Sequence, residues 1–285
     1  MSLDGSQGIR GALESRLRTF FGRRHALLFN SGTAALHASY FALNLPRGAH
    51  VACPVYTYPA TVMPMLSLGL RPLFCDADPR TANVTNESVK HAISSGAEAI
   101  IVTHMWGFPC DIAEIRRLAE ARGLRIIEDA SHAPGAEING MKAGALGDVA
   151  AISFQAFKLI WAGEGGVLLT DDDELYSRAV IFGHNQQRIV ELGSENPYAG
   201  YAPLGYGLKL RIHPLGAVIA SHALQQLPDV IERQRSAASV LDAALQDSPL
   251  AEPPVTAPST RRVYYTYKPL LKDPEVNEKT REEIV

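Results

Sequence analysis

The chain has 285 residues, of which 46% are hydrophobic, and a formal net charge of −3 at pH 7. Such a chain can bury a sizeable core, and without a basic stripe or a membrane-length apolar window it has neither nucleic acid nor a membrane as a predicted partner. Its three cysteines, Cys53, Cys75 and Cys110, lack the spacing of a disulfide framework or a zinc site, and residues 1–24 contain no secretory signal. These features predict a cytoplasmic protein without a metal site that acts on a small molecule.

Short apolar runs alternate with amphipathic stretches between residues 8 and 185. This alternation is typical of βαβ units, and it predicts an α/β fold with a mostly parallel sheet flanked by helices. The seven predicted strands span residues 26–29, 50–54, 72–75, 99–103, 125–128, 149–154 and 167–170. The predicted helices between them span residues 9–21, 34–45, 59–68, 87–94, 112–122 and 173–182. A sheet of this kind holds its ligand at the carboxyl ends of its strands.

The last third of the chain has a different pattern. Between residues 214 and 245 apolar residues recur every three or four positions, which predicts one long or broken helix that Pro228 can kink. Residues 248–258 are proline-rich and are interpreted as a linker, and residues 262–271 are predicted to open a further unit as a strand. We therefore expect a large domain over residues 1–245 and the beginning of a small C-terminal domain over residues 246–285.

The first segment with chemical content, residues 30–36, follows a predicted strand and opens a predicted helix. A helix start offers free backbone N–H groups and the positive end of the helix dipole, Gly32 lets an anion approach, and Thr33 adds a hydroxyl donor. These features favour a phosphate cradle. An ordinary Ser/Thr helix cap is the alternative, and on this segment alone it is the favoured one.

In the second segment, residues 126–133, a β-branched run ends in two carboxylates and is followed by a histidine. A carboxylate at the end of a strand can keep a pyridinium nitrogen protonated deep in a cleft, and Asp129 is the candidate for that role. The alternative makes Asp129 a helix cap and His132 a packed polar residue.

In the third segment Lys158 stands between an apolar strand and a glycine-rich turn at residues 162–166. Desolvation disfavours the ammonium form of a lysine and makes its amine nucleophilic. Ser153, at the end of the strand, can donate a hydrogen bond to the phosphate that residues 30–36 are predicted to bind. The glycines lack the spacing of a dinucleotide-binding loop, so a nucleotide-binding interpretation is weakly supported.

Residues 31–36, 54–58, 128–133 and 153–166 together resemble the DegT/DnrJ/EryC1/StrS aminotransferases. These are fold-type I enzymes that depend on pyridoxal 5'-phosphate (PLP) and aminate keto-sugars and keto-cyclitols. The likeness runs in order from about residue 10 to residue 270. It implies a PLP-binding domain built on a seven-stranded sheet, and a small C-terminal domain that is incomplete at Val285. Because family members also begin earlier, we expect a truncated chain.

The resemblance assigns roles to particular positions. Lys158 is expected to hold PLP as a Schiff base and to act with Asp129, the partner of the pyridinium nitrogen, in catalysis. Gly32, Thr33 and Ser153 correspond to phosphate-binding positions of the family. Tyr58 corresponds to the ring that stacks on the pyridine, with a core aromatic as the alternative, and His132 to a cofactor-side polar residue. Family dehydratases have histidine in place of the lysine, so Lys158 favours transamination.

One segment departs from the family pattern. Before the long helix the family has an asparagine that reaches the phosphate of the neighbouring subunit, and here that position is Lys209. Lys209 can supply a cation to the phosphate, or it can be a surface lysine. The resemblance thus implies PLP-binding residues at Gly32, Thr33, Tyr58, Asp129, His132, Ser153, Lys158 and Lys209, in a homodimer with shared active sites.

The implied reaction moves an amino group from an amino acid, glutamate or glutamine, to a keto-sugar, a nucleotide-linked keto-sugar or a keto-cyclitol. Another PLP reaction on the same fold, such as dehydration or elimination, would keep Lys158 and Asp129 and is the first alternative. A nicotinamide-dependent oxidoreductase would need a glycine loop that the sequence lacks. A PLP-sensing regulatory protein is a third alternative, without an evident DNA-binding segment. The residues do not reveal which ketone is the substrate.

Overall fold

Strands and helices alternate through most of the computed structural model, which describes residues 6–272. The strands are β1 (His25–Phe29), β2 (His50–Pro54), β3 (Arg71–Cys75), β4 (Ala97–Thr103), β5 (Arg125–Asp129), β6 (Glu137–Ile138), β7 (Met141–Lys142), β8 (Val149–Ser153), β9 (Gly166–Thr170), β10 (Ala251–Glu252), β11 (Thr260–Arg261) and β12 (Leu270–Leu271). The helices are α1 (Gly8–Phe21), α2 (Gly32–Ala42), α3 (Met63–Ser67), α4 (Asn86–Ser94), α5 (Ile112–Glu120), α6 (Asp173–Gly183), α7 (Gln186–Val190) and α8 (Pro214–Leu245).

Seven strands form the main sheet in the order β1-β9-β8-β5-β4-β2-β3. Strand β9 runs antiparallel to both of its neighbours, β1 and β8, and the pairings from β8 through β5, β4 and β2 to β3 are parallel. The predicted α/β fold with a mostly parallel seven-stranded sheet is confirmed. The carboxyl ends of β1, β4, β5 and β8 consequently meet at one edge of the sheet.

The core lies on both faces of this sheet. Leu27 packs into a buried cluster with α2 and α6, and the next residue, Leu28, packs into the cluster that holds α1 and α8. Because successive side chains of a strand point to opposite faces, a strand covered on both sides needs a continuous apolar run. Each leucine fully buried in this way stabilises the fold by about 1.5–3 kcal/mol.

Side-chain caps fix where several helices begin. Ser31, Thr85, Asp111 and Asp172 each accept a hydrogen bond from a backbone N–H in the first turn of α2, α4, α5 and α6. Such a cap contributes about 1 kcal/mol. The predicted long helix is confirmed as α8, which continues through Pro228. No helix within residues 6–272 is long and apolar enough to cross a membrane.

Two predicted elements were wrong. The helix predicted over residues 59–68 is a 3-10 turn at Pro59–Thr61 followed by the short helix α3, because Pro64 fits only the start of a helix. The strand predicted over residues 262–271 is absent. Only its last two residues belong to a strand, β12, and the N–H of Val263 donates to the carbonyl of Gly107 at 3.0 Å. That segment is held by the loop after β4 instead of by a strand partner.

The predicted small domain begins in the described part of the chain. There β10 pairs with β12, and β11 pairs with β6 of the preceding region. Residues 273–285 lie outside the described residues. The domain division at residue 245 stays a prediction.

Candidate active site

A cavity of about 670 Å³ opens at the carboxyl edge of the sheet. Four strand ends contribute to its wall: Ser31–Thr33 follow β1, Thr103 ends β4, Asp129 ends β5 and Ser153 ends β8. Lys158 lies in the turn that follows β8 and also lines the cavity. The strand order therefore brings together residues that lie up to about 125 positions apart in the chain.

The start of α2 forms one side of this cavity. Ser31 caps the helix, and its Oγ accepts the N–H of Ala34 at 3.0 Å. A Cβ placed on Gly32 would lie 2.6 Å from the Cβ of Ser153, so only glycine lets the helix start approach the end of β8. The first N–H groups of a helix have no partner within the helix and carry its positive dipole end. Gly32, Thr33 and Ser153 thus surround a place suited to a phosphate.

The glycine-rich turn after Lys158 has a packing role at the same junction. A Cβ on Gly166 would lie 2.6 Å from the carbonyl oxygen of Ser31. Gly163 has φ +78, which side chains with a Cβ rarely adopt. Gly166 thus allows β9 to pack against the start of α2, and Gly163 provides the left-handed turn before it.

Asp129 is held in place by two donors. Its Oδ2 accepts the hydroxyl of Thr61 at 2.8 Å, and its Oδ1 accepts the N–H of Ser131 at 3.1 Å. Thr61 is itself joined to Thr57 at 2.8 Å, and Thr57 to Thr103 at 2.9 Å. This chain of hydroxyl groups fixes the carboxylate at the cavity wall.

Glu128 points to the opposite face of β5, as alternation along a strand requires. Its carboxylate contacts His104 Nε2 at 2.8 Å and accepts the N–H groups of Gly144, Leu146 and Gly147. Burial raises the pKa of Glu128, but these bonds, that from His104 first, lower it below its ordinary value. Glu128 does not line the cavity and has a structural role.

Lys158 is half-buried, with its Nζ 4.4 Å from the ring centroid of Tyr265. Burial lowers the pKa of the lysine, and the Asp129 carboxylate opposes that shift. A lowered pKa increases the fraction of neutral amine, the form that is nucleophilic and can accept a proton.

An aromatic stack covers the cavity beside Lys158. The ring of His132 lies parallel to that of Tyr265, with centroids 4.1 Å apart, and Trp106 stacks on His132 at 5.4 Å. Burial, followed by the charge of Lys158, lowers the pKa of His132 to about 4. His132 is therefore neutral at pH 7. Among residues 6–272 its buried Nδ1 has no hydrogen-bond partner.

Two predicted residues lie at the periphery. Tyr58 lines the cavity with 68% of its surface exposed, so it is no core aromatic. Lys209 is exposed, has a left-handed backbone (φ 56) and does not line the cavity of its own chain. Its predicted contact is with a second subunit and stays a prediction.

The motifs did not identify several residues that shape this site. Thr61 holds Asp129 from a different loop, and Trp106 and Tyr265 form the aromatic wall. The aromatic run at residues 264–267 was a visible signal, but the position of Tyr265 depends on the path of the chain across the cavity. Thr61 had no local signal, because its partner lies 68 residues away.

Comparison with known proteins decides the family. The model of the DegT/DnrJ/EryC1/StrS aminotransferase family matches residues 7–285. The chain belongs to this family. The predictions of a PLP-dependent aminotransferase and of PLP as its cofactor are confirmed at the level of the family.

Family members with assigned activities are similar over most of the chain. A dTDP-4-dehydro-2,3,6-trideoxy-D-glucose 4-aminotransferase of Saccharopolyspora spinosa is 31% identical over 263 residues, which are 91% of this chain and 68% of the relative. GDP-perosamine synthase of Escherichia coli O157:H7 is 33% identical over 217 residues, or 76% of this chain and 57% of that protein. The crystal structure of DesV from S. venezuelae matches with a TM-score of 0.82 and 27% identity, covering 97% of this chain and 72% of DesV. The chain thus spans between about half and three quarters of the length of these relatives.

The residues at the cavity fit the cofactor of the family. A helix start that tolerates only glycine suits a phosphate, a carboxylate fixed by Thr61 suits a pyridinium nitrogen, and a half-buried lysine of lowered pKa suits the aldehyde carbon. All three groups face one cavity.

Proposed function

We propose that this protein transfers an amino group from glutamate or glutamine to a keto-sugar, a nucleotide-linked keto-sugar or a keto-cyclitol, with PLP bound at Lys158. The observation that carries the proposal is the meeting of Lys158, Asp129 and the glycine-dependent start of α2 at one cavity. The relatives with assigned activities, an aminotransferase of a dTDP-linked keto-sugar and a perosamine synthase, support a sugar substrate.

Each residue has a defined task in this proposal. When bound, PLP supplies an electron sink for the negative charge that develops on the substrate carbon next to nitrogen. Asp129, fixed by Thr61, would keep a proton on the ring nitrogen, which would strengthen that sink. The N–H groups at the start of α2, with Thr33 and Ser153, would hold the phosphate, and Tyr58 would contact the ring.

Lys158 is the proton carrier of the proposed reaction. Its lowered pKa increases the share of neutral amine, so Nζ would accept a proton from the carbon of the amino donor and pass it to the cofactor carbon. When the ketone is aminated, Lys158 would move a proton in the reverse direction. His132, neutral at the same pH, adds a flat packing surface without adding a second positive charge. A lysine at this position favours transamination over the dehydration chemistry of some family members.

The proposed assembly is a homodimer with shared sites. Several large apolar side chains are exposed, with exposed fractions of 82% for Phe157, 68% for Tyr58, which lines the cavity, and 67% for Leu215. Exposed apolar surface of this kind marks interaction sites, and a two-fold symmetric copy is the commonest partner. Lys209 would then face the phosphate of the second subunit. A reducing cytoplasm suits the three buried free cysteines.

The test is a borohydride experiment on protein saturated with PLP. We expect a visible absorbance band that glutamate abolishes, and after reduction a pyridoxyl adduct that mass mapping places on Lys158. The Lys158→Ala variant should lose the adduct, whereas Lys142→Ala, the matched change of another half-buried lysine outside the cavity, should keep it. An adduct on a different lysine, or none on intact wild-type protein, would contradict the proposal.

A further inference from the structure

A second cavity, of about 420 Å³, adjoins the first. Tyr56 and Trp106 line both cavities, so a molecule with one end at Lys158 can extend past them into the second. Its other walls are the loop after β3 at residues 77–82 and the segment between Pro254 and Leu270. A volume of several hundred Å³ is in the range of small-molecule sites. None of the residues assigned to cofactor binding or catalysis lines it.

Two residues of this cavity have unusual backbone conformations. Trp106 has φ 53 and Ala82 has φ 60, in the left-handed region that side chains with a Cβ rarely adopt. Backbone conformations of this kind persist only where the surroundings impose them, and they concentrate at binding sites. Both residues lie on opposite loops that face the same space.

Arg262 is the buried charge of the cavity. It is only 6% exposed, its Nη1 donates to the carbonyl of Val255 at 3.0 Å, and its guanidinium stacks on Tyr264 at 4.7 Å. Within the described part of the chain its Nε has no hydrogen-bond partner. Its Nη2 donates to the carbonyl of Trp106 at 3.5 Å, so the hydrogen bonds that this guanidinium donates within residues 6–272 go to neutral carbonyls. A buried cation without a carboxylate partner is costly, so an anion in the cavity that Arg262 lines would be favoured.

Positive charge dominates the lining. Lys268 lies at the rim with Nζ 4.7 Å from the ring of Trp106, and Arg80 lies opposite. Of the nearby carboxylates, Asp78 accepts the N–H groups of Arg80 and Thr81 in its own turn, and Glu252 pairs with Arg80 at 3.1 Å. Asp242, which acts electrostatically on Arg262, accepts the hydroxyl of Tyr267 at 2.6 Å. Arg262 and Lys268 thus remain to attract an anion.

We propose that this second cavity binds an oxyanion carried by a substrate, a phosphate or a carboxylate remote from the reacting carbon, with Arg262 and Lys268 as its cationic ligands. Trp106 forms the shared wall along which the substrate passes. Only the identity of the molecule that carries the anion depends on the proposed function. Phosphate on the ketone and the second carboxylate of the amino donor are the two sources.

The test is calorimetric titration of two probes, pyrophosphate and glutarate, into borohydride-reduced holoenzyme, whose phosphate cradle is already filled. We expect Arg262→Gln to weaken binding of the favoured probe at least about tenfold, as loss of a charge-assisted bond does. Lys268→Gln, at an exposed position, should weaken it about threefold. Arg261→Gln removes the neighbouring arginine, which is exposed and pairs with Glu232, and should leave binding unchanged.

A second readout uses the two tryptophans of the chain, Trp106 and Trp161. In a Trp161→Phe background the emission of Trp106 should change on adding the favoured probe, with the same dependence on Lys268. If Arg262→Gln fails to fold, the binding of the probe to Lys268→Gln tests the anion site instead. Pyrophosphate binding identifies a phosphorylated ketone, and glutarate binding identifies the donor.

The proposal is overturned if neither probe binds, or if Arg261→Gln weakens binding as much as Lys268→Gln and Arg262→Gln do. The proposed function has its own readout, since the mapped adduct reports on Lys158 in the other cavity. If no adduct forms, the probes are titrated into PLP-saturated protein that has not been reduced. Arg262-dependent binding there would contradict the proposed transamination and support the anion site.

Discussion

Two clusters of polar residues, one around Glu14 beside α1 and one at the cavity, differ in how many of their polar groups have a hydrogen-bond partner. Beside α1, Glu14 accepts Arg188 at 2.7 Å and the N–H of Leu28 at 3.1 Å, while Arg188 also donates to Tyr176 at 2.8 Å. At the cavity, by contrast, Lys158 faces an aromatic ring and His132 has a buried nitrogen without a partner in the described residues. We call the Glu14 network closed, because Glu14, Arg188 and Tyr176 pair with one another, and such pairing stabilises the fold. We call the cavity cluster open, because it leaves polar groups that a ligand can contact.

The largest expected effect concerns the open cluster. Lys158→Ala should lower the rate of amino transfer by at least about 10³-fold, because proton transfer by the lysine and the attachment of the cofactor are both lost. Its free energy of unfolding should change by less than about 1 kcal/mol. Single-turnover rates with glutamate and urea unfolding measure the two quantities. A variant that keeps a tenth of the wild-type rate would refute the role of Lys158.

The closed cluster should respond in the opposite way. Arg188→Met leaves the Glu14 carboxylate buried without its partner and should lower the free energy of unfolding by about 3–5 kcal/mol. Replacing both residues by apolar ones should recover most of that loss. Urea unfolding of the two variants provides the comparison, and the folded fraction should show normal PLP absorbance. A loss below about 1 kcal/mol for Arg188→Met would be inconsistent with a closed network.

Adjacent residues of β5 allow the same comparison within one strand. Asp129→Asn should reduce turnover about 10²-fold through loss of the charge opposite the ring nitrogen, with little change in stability. Glu128→Gln should instead lower the free energy of unfolding by about 3 kcal/mol, because its charge-assisted bonds to His104 and three N–H groups weaken. Steady-state rates and thermal unfolding distinguish the two. Equal effects of both changes on turnover would refute the assignment of Asp129.

A smaller effect on turnover is expected at Thr61, which contacts the cavity residue Asp129. Thr61→Val removes the hydroxyl that Asp129 accepts at 2.8 Å and should lower turnover up to about tenfold. Thr61→Ser keeps the hydroxyl and should stay within about threefold of the wild type. A rate for the serine variant as low as that of the valine variant would point to packing instead of hydrogen bonding.

A further expected effect is a pH dependence of stability in the cofactor-free protein. Folding lowers the pKa of His132 from its ordinary value near 6.5 to about 4, so the unfolded chain takes up a proton first as the pH falls. The contribution of neutral His132 to the free energy of unfolding is complete above pH 6.5. It is lost as the pH falls towards 4, and the loss is at most about 3 kcal/mol. His132→Gln should flatten this part of the stability curve from urea unfolding. His184, whose pKa burial lowers to about 3, supplies a similar slope in both proteins.

The sequence predicted the sheet well because strands buried on both faces appear as continuous apolar runs. It also predicted site roles for Gly32, Asp129, Ser153 and Lys158, since Asp129 and Ser153 end such runs and Gly32 and Lys158 follow them by three and five positions. The structure places these four at one cavity.

What the sequence could not predict depends on contacts between distant segments. Val263 is held by Gly107, 156 positions earlier, so its segment does not form the expected strand. Thr61 and Tyr265 reach the cavity only because of how their loops cross it. The second cavity likewise forms only because Trp106 and Arg262 come together, and no local sequence pattern predicts that contact.

The 2.6 Å that a Gly32 Cβ would leave to Ser153 has a consequence for the order of assembly. The phosphate cradle consists of residues separated by more than a hundred positions, and it exists only once β8 has docked beside the start of α2. A cofactor that binds there stabilises only those chains in which β8 has already docked beside α2. PLP would then bind late in folding, and its uptake during refolding would report when β8 docks.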